Sequence, residues 1–325
     1  MQLIIQDPAG LHLQPLLGLV YFKTVGMSRN LAIILATITA IIYGVSFTIA
    51  KEVMPQYIKP FGFIVLRVSG ATILFWIAGF FIKKEKIAPK DYLRIIAAAI
   101  FGVALNMLTF FKGLSLTTPI SGAVMMVTTP ILVLTFASIF LNEKATIKKI
   151  TGIFVGLIGA VFLIAYGKTF GGGNNELLGN FLVFINAASY AFYLIIVKNL
   201  TKKYHPLVFA KWLYLFGLIM VIPFGLEELK QVDFKTMSTI IYLKTIFIVV
   251  FTTFTTYLFN LLAIKKLKPT TVSIFIYLQP VIATIYALAV KSDSLNTVKI
   301  IATLLIFAGV YLVSSQNNED KNKIR

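Results

Sequence analysis

The chain has 325 residues, of which 58% are hydrophobic and 13% are charged, and its formal net charge at pH 7 is +18. Its mean hydropathy of +0.88 excludes a soluble globular protein, since such chains carry far more polar residues. The absence of cysteine excludes disulfide bonds and thiolate metal sites.

Ten segments of the sequence are apolar enough to be membrane spans. A helix needs about 20 mostly apolar residues to cross roughly 30 Å of hydrocarbon. The connections between the segments are short, which leaves no room for a soluble domain. The predicted spans are residues 30–50, 61–82, 92–112, 119–141, 149–166, 178–198, 206–226, 240–262, 270–290 and 297–315.

Residues 1–29 precede the first span and form a predicted leader. The stretch Leu11–Phe22 is weakly apolar, but Pro15 and the neighbouring glutamine and histidine residues make it a poor signal peptide or span. We interpret the leader as a disordered segment or an extended gene start. A genuine interfacial segment is the alternative.

The remaining chain divides into two halves of five spans each. The first half covers residues 30–166 and the second covers residues 178–315. Residues 167–177 contain three consecutive glycines and form the predicted linker, and residues 316–325 form a predicted tail.

The two halves are related by an internal repeat. Five residue pairs keep their type or charge, with no gap, when the sequence is shifted by 150 positions: Pro119 and Pro269, Pro130 and Pro280, Glu143 and Asp293, Lys149 and Lys299, and Gly159 and Gly309. Because five spans is an odd number, the second copy enters the membrane from the opposite side. The predicted fold is therefore an all-α integral membrane protein with ten transmembrane helices in two inverted five-helix repeats, an architecture typical of transporters.

The basic excess follows the predicted topology. With the N-terminus inside, 19 lysines and arginines lie on the cytoplasmic side and nine on the opposite side, while Arg67 and Lys211 lie within spans. Such a bias over short loops is the positive-inside pattern. It predicts a multi-pass protein of the cell membrane with both termini cytoplasmic, and it argues against a nucleic acid partner.

A polar stripe occurs in the first span of each half. Polar side chains at membrane depth are costly unless they face protein or water. Thr39, Tyr43 and Ser46 share one helical face, since they are spaced i, i+4, i+7. A shift of 147 positions carries this stripe onto a second one: Asn186, Tyr190 and Tyr193. The recurrence predicts a shared cavity that includes Tyr43, Asn186 and Tyr190, and helix–helix hydrogen bonding is the alternative.

Further candidates for the cavity wall lie in other spans. Asn106 corresponds to Thr256 under the 150-residue shift. Threonine can instead bond its own helix backbone and face lipid. Arg67 lies seven residues after Pro60, where its guanidinium could bind an anionic substrate group, bond nearby carbonyls or reach the outer interface.

Two prolines interrupt predicted spans at matching positions. Pro130 and Pro280 each remove a backbone hydrogen bond, and the polar residues Thr129 and Gln279 directly precede them. We predict that the prolines are hinges and that Thr129 and Gln279 contact substrate. The alternative is that the kinks only shape helix packing.

The sequence lacks the residues that catalysis and metal binding require. No acidic residue lies in mid-span, so the usual carboxylate proton carrier is missing, which favours exchange, facilitated movement or coupling through neutral groups. His12 and His205 lie outside the spans and cannot form a metal cluster or a catalytic triad. We predict no catalytic residue, no metal site and no cofactor.

These features together resemble the EamA-like branch of the drug/metabolite transporter superfamily. The segments that carry the resemblance are Asn106–Gly113, Leu116–Pro119, Met125–Pro130, Leu141–Lys144 and Gly152–Gly159, together with Arg67. The resemblance covers about residues 28–315. It implies ten helices, both termini inside, a central cavity lined by both halves, and export or exchange of small metabolites such as amino acids. Asp293 departs from the glutamate that the family pattern has there.

The sequence therefore predicts a secondary transporter that moves a small metabolite, an amino acid or related compound, across the cell membrane by alternating access. Its predicted partners are this small-molecule substrate and the lipid bilayer, and a homodimer is left open. The alternatives are a membrane-embedded enzyme on a lipid-linked substrate and a non-transporting scaffold or sensor. The predicted substrate-binding residues are Arg67, Asn106, Thr129, Tyr43, Asn186, Tyr190, Thr256 and Gln279.

Overall fold

The computed structural model describes residues 27–54, 56–116, 126, 128–142, 146–165, 176–289 and 297–314. Several predictions concern residues outside this set: most of the leader and linker, the tail, Pro119, Glu143 and Asp293. The regular secondary structure of the described residues is entirely helical, as predicted. Its helical runs are α1 (Arg29–Val53), α2 (Pro60–Phe80), α3 (Pro89–Leu116), α4 (Thr129–Leu141), α5 (Ile147–Ala165), α6 (Glu176–Lys203), α7 (Pro206–Lys230), α8 (Thr239–Lys266), α9 (Pro269–Ala289) and α10 (Thr297–Ser314).

Six of these helices are long and apolar enough to cross a membrane: α1, α2, α3, α6, α7 and α8. Large apolar side chains also stand on the outside of the bundle, among them Phe80 at 77% exposure and Leu93 at 73%. Exposure of so many large apolar side chains is unfavourable in water but favourable in lipid. These helices and their exposed apolar side chains confirm the prediction of an all-helical integral membrane protein.

Proline marks the start of several helices. Pro60, Pro89, Pro206 and Pro269 each occupy the first turn of their helix, where the missing N–H has no intrahelical partner to lose. Pro130 does the same, because the described part of α4 begins at Thr129. A proline in the first turn of the described helix removes no hydrogen bond within it, and most residues that precede Pro130 in its predicted span lie outside the described set.

Three helices depart from regular α geometry within the described residues. The stretch Ile100–Ala104 of α3 and the stretch Ile248–Thr255 of α8 are π-helical, and Ile274–Tyr277 of α9 is a 3-10 turn. Pro280 lies three residues after this turn, at the start of the final α-helical part of α9. Such short π segments occur often at functional sites.

Glycine lets α5 and α10 approach at backbone distance. A Cβ on Gly309 of α10 would lie 2.6 Å from the carbonyl oxygen of Gly152 and 2.6 Å from the amide nitrogen of Gly156 in α5. Without a side chain at Gly309, the two backbones pack directly. Small residues serve the same purpose at helix pairs in membranes generally.

One buried carboxylate joins α3 to the end of α6. The Asp91 side chain is only 1% exposed, and it accepts hydrogen bonds from Arg94 Nη1 at 2.8 Å, from Lys203 Nζ at 3.0 Å and from the Tyr204 hydroxyl at 2.9 Å. Next along the chain, the His205 amide donates to Glu85 at 3.0 Å. Burial and Lys265 lower the pKa of His205, which keeps its Nδ1 neutral and able to accept from the Leu207 amide at the start of α7.

Candidate functional site

A cavity of about 190 Å³ lies between helices α1, α2, α3, α6, α8 and α9. At about 30 Å³ per molecule, it has room for some six waters or one small solute. Its wall is mainly apolar, with hydroxyls, amides and one guanidinium. The described lining residues are Tyr43, Ser46, Ala50, Met54, Arg67, Asn106, Met107, Phe110, Phe111, Met126, Asn186, Tyr190, Ile248, Thr252, Tyr257, Ile276 and Gln279.

Arg67 contributes the charge in the described wall of this cavity. It is 8% exposed, and its Nε donates to Thr253 Oγ1 of α8 at 3.1 Å. The guanidinium carbon lies 5.9 Å from the ring centre of Phe63 and 5.8 Å from that of Phe111, within cation–π range. Arg67 therefore points inward between aromatic rings, and it does not reach the outer interface.

Hydroxyl groups connect α1 to α8 at the cavity. The hydroxyl of Tyr43 lies 3.0 Å from Thr256 Oγ1, which is also bonded to the Thr252 carbonyl. One turn further along α1, the hydroxyls of Ser46 and Thr252 are in contact. Thr256 is fully buried and supports Tyr43 from behind, so it is not among the lining residues.

Amide groups connect α3 to α6 on the other side of the cavity. Asn186 Nδ2 donates to the Asn106 carbonyl at 2.7 Å, and Asn106 Nδ2 lies 3.4 Å from the Asn186 carbonyl. One helical turn beyond Asn186, the Tyr190 hydroxyl accepts from Asn260 Nδ2 of α8 at 3.2 Å. These bonds orient Asn106, Asn186 and Tyr190 toward the cavity.

Six of the eight predicted residues meet at this cavity: Tyr43, Arg67, Asn106, Asn186, Tyr190 and Gln279. Thr256 stands behind the wall, and Thr129 is not among the described lining residues. Thr129 is fully buried, and its Oγ1 donates to the Met126 carbonyl at 2.7 Å, where it stabilises the start of α4. The described part of the chain contains no group of three residues suited to a metal ion.

The cavity lies toward one end of the bundle. Its wall includes Ala50 and Met54 at the end of α1. Toward the opposite end, Lys198 Nζ of α6 donates to the carbonyls of Ile264 at 2.6 Å and Leu267 at 2.8 Å, at the end of α8. We call these two ends the Met54 side and the Lys198 side.

A model of one protein family, described as the EamA-like transporter family, matches this chain over residues 30–165 and again over residues 177–315. The chain belongs to the EamA-like transporter family. The resemblance inferred from Arg67 and the proline-containing segments is thereby confirmed.

Several relatives of this EamA-like chain are named as transporters. An uncharacterised transporter of Archaeoglobus fulgidus is 25% identical over 282 residues, covering 86% of this chain and 97% of the relative. The uncharacterised transporter YyaM of Bacillus subtilis is 27% identical over 283 residues, covering 85% and 90%. A WAT1-related chloroplastic protein of Arabidopsis thaliana is 22% identical over 288 residues, covering 86% and 68%. The chain is therefore a multi-pass membrane transporter of the EamA type.

One solved crystal structure has the same fold. It superposes with a TM-score of 0.74 at 16% sequence identity, and the match covers 88% of this EamA-like chain and 96% of the other. At this identity the likeness shows the fold alone.

The structure also adds cavity residues that the sequence analysis did not propose as substrate contacts. Ile248, Thr252 and Tyr257 of α8 line the cavity, and the Tyr257 hydroxyl donates to the Gly102 carbonyl at 2.7 Å. Ile248 and Thr252 lie in the π-helical stretch of α8, and Gly102 lies in that of α3. The run of threonines from residue 252 to 256 was the available signal in this EamA-like sequence, but it did not reveal which of them face the cavity.

Proposed function

We propose that this chain is a secondary transporter that moves a small metabolite, an amino acid or related compound, by alternating access in an export or exchange mode. The observation that carries the proposal is the composition of the cavity wall. Tyr43, Arg67 and Asn106 come from the first half of the chain, and Asn186, Tyr190 and Gln279 come from the second. A site built by both halves can be exposed to either side when the halves move against each other.

The proposed architecture is ten transmembrane helices in two inverted repeats, and helix packing supports it. Helix α1 packs on α8 and α9, and its counterpart α6 packs on the counterparts α3 and α4. Individual contacts recur as well: Gly70 of α2 meets Val249 of α8, while Gly217 of α7 meets Val103 of α3. Both contacts follow the same shift of about 147 residues. The π-helical stretches of α3 and α8 are likewise about 150 residues apart.

The two ends of the bundle support alternating access. The cavity reaches toward the Met54 side, while the Lys198 side is held by hydrogen bonds between α6 and α8. In the proposed cycle these bonds break, the Lys198 side opens and the Met54 side closes. Pro130 and Pro280 are the proposed hinges, because each stands beside a change of helix geometry. We further propose that both termini are cytoplasmic and that the protein resides in the cell membrane.

Counterflow in proteoliposomes tests this function. Vesicles that contain the purified protein are loaded with one unlabelled amino acid at a time, and entry of the same labelled compound is measured. We expect entry for at least one compound, a strong loss with Asn106→Ala and with Arg67→Ala, and full retention with Asn30→Ala, which changes an exposed asparagine. Absence of counterflow for every compound with folded wild-type protein would contradict the proposal.

A further inference from the structure

The guanidinium of Arg67 has unused hydrogen-bond donors. Arginine carries five N–H groups in a planar fork. The Nε group donates to Thr253, and the flanking Phe63 and Phe111 rings offer only their faces. Within the described part of the chain, the terminal amino groups of Arg67 make no hydrogen bond to protein, and Arg67 lines the cavity. Four N–H donors are therefore left for a solute.

The described wall of the cavity holds no carboxylate that could neutralise Arg67. The other polar groups of the wall are hydroxyls and amides. Among the acidic residues on the Met54 side, Glu52 forms an ion pair with Lys244 at 2.6 Å, and Glu228 accepts a hydrogen bond from the Phe61 amide at 2.8 Å. Neither is a partner of Arg67. A buried cation without a counter-charge is costly, so a bound anion is favoured at this position.

One guanidinium matches one negative charge. A carboxylate can accept two parallel N–H bonds from an arginine fork, which gives both strength and orientation. A fully ionised phosphate would bring about two charges to a described wall with a single cation. Apart from Arg67 and the hydroxyl and amide groups, the wall is formed by apolar side chains such as Met107, Phe110 and Ile276. An amphipathic monoanion fits this combination.

We propose that the cavity recognises its substrate as an amphipathic monocarboxylate, held in a bidentate way by the terminal amino groups of Arg67, and that it requires no amino group on the substrate. The inference rests on the proposed transport function and narrows its substrate class. No described wall residue offers a carboxylate to an ammonium group, so an acid that lacks the amine of the corresponding amino acid loses no ion pair with the described wall. Arg67 is then the residue that determines charge specificity.

Four compounds on one carbon skeleton separate the charges: leucine, 4-methylpentanoate, leucinamide and 4-methylpentanamide. Their binding to the purified wild-type protein is measured by thermal stabilisation, and their counterflow is measured in proteoliposomes. We expect leucine and 4-methylpentanoate to bind within about threefold of each other. The two amides should bind at least about tenfold more weakly, since they lose a charge-assisted pair of hydrogen bonds.

Variants of Arg67 test the same proposal by changing the protein instead of the compound. Arg67→Gln should remove the preference for acids over amides. Arg67→Lys should keep the preference but weaken binding of the acids, because it retains the charge and loses the fork. Arg94→Gln is the matched control, since it removes an arginine that lies outside the cavity and is half exposed.

The proposal is overturned if the amides bind as well as the acids, if Arg67→Gln keeps the wild-type preference, or if folded protein binds none of the four compounds. The wild-type comparison decides even where a variant does not fold. Binding of the acids without counterflow would contradict the transport function and leave the recognition of the carboxylate standing. Counterflow that does not distinguish acid from amide would contradict the recognition of the carboxylate and leave the transport function standing.

Discussion

The hydrogen bond between Arg67 and Thr253 joins α2 to the π-helical stretch of α8. It fixes the plane of the guanidinium, so that the terminal amino groups keep one direction at the cavity. Thr253 itself is fully buried and is not among the lining residues. Its role is to position Arg67.

Replacing Thr253 with valine should therefore weaken substrate binding without abolishing transport. Because the charge and the terminal amino groups of Arg67 remain, the loss should be that of an ordinary hydrogen bond, about 1 kcal/mol, and KM should rise about three- to tenfold with little change in maximal rate. The measurement is the initial counterflow rate as a function of substrate concentration. Thr255→Val is the matched control, because Thr255 donates to the Val250 carbonyl of its own helix. Equal KM values for the two variants would contradict a positioning role.

Asp91 has a structural role on the Lys198 side of the protein. Its carboxylate is buried and accepts from three side chains, although Arg94 and Lys203 are themselves about half exposed. Asp91→Asn should lower the free energy of unfolding by about 1.5–3 kcal/mol, the range for hydrogen bonds to charged groups. The melting temperature in detergent measures this. Glu227→Gln is the control, since Glu227 is 77% exposed and its pair with Lys230 is worth little. Equal melting temperatures would contradict this account.

At the scale of single helices, the π-helical stretches explain why the sequence predicted some cavity residues and missed others. The stripe of Tyr43 on α1 and that of Tyr190 on α6 could be predicted, because both helices keep a period of 3.6 residues. A π turn adds a residue and rotates the side chains that follow, so the same rule fails for Thr252 in α8. Thr129 stays a predicted substrate contact. Its place beside Pro130 is a sequence fact, but the sequence does not reveal that its hydroxyl donates to the Met126 carbonyl.

The sequence also could not predict how each helix is rotated about its own axis, and so which of its faces meets the neighbouring helices. Arg67 stood out as an arginine within a span, and its depth could be predicted from its distance to Pro60. Whether it would bind substrate or extend to the interface depended on which face of α2 meets α8. That contact is set by long-range packing, such as Gly70 against Val249. A single sequence does not contain this information in readable form.

The close contact between α5 and α10 gives a prediction for packing. Gly309→Leu would place a side chain against the Gly152 backbone, which cannot move aside as a flexible side chain could. Overpacking of this kind should cost about 1–3 kcal/mol or more. We expect a lower melting temperature and a lower yield of folded protein in detergent. Ala308→Leu is the control, because Ala308 is exposed on the outer face of α10. A similar effect of both substitutions would contradict the packing account.

At the scale of the whole molecule, the proposed inverted repeat makes the two halves nearly equivalent, whereas the two sides of the bundle differ in the structure. Lys198 of α6 bonds the carbonyls at the end of α8 and holds one side together. The residue that corresponds to Lys198 under the 147-residue shift is Lys51, at the end of α1 on the Met54 side. Nearly equal halves can exchange roles with a small difference in free energy, which alternating access requires.

Two spin-label distances test this central claim most directly, and the absence of cysteine makes the chain suitable for it. The pair Lys112→Cys and Ser238→Cys reports on the Met54 side, and the pair Lys202→Cys and Lys266→Cys reports on the Lys198 side. Each distance distribution is measured by double electron–electron resonance in lipid nanodiscs, with and without the compound that shows counterflow. The account predicts that the compound shifts the two distributions in opposite directions, one side closing as the other opens. Shifts in the same direction, or no shift in a protein active in counterflow, would contradict it.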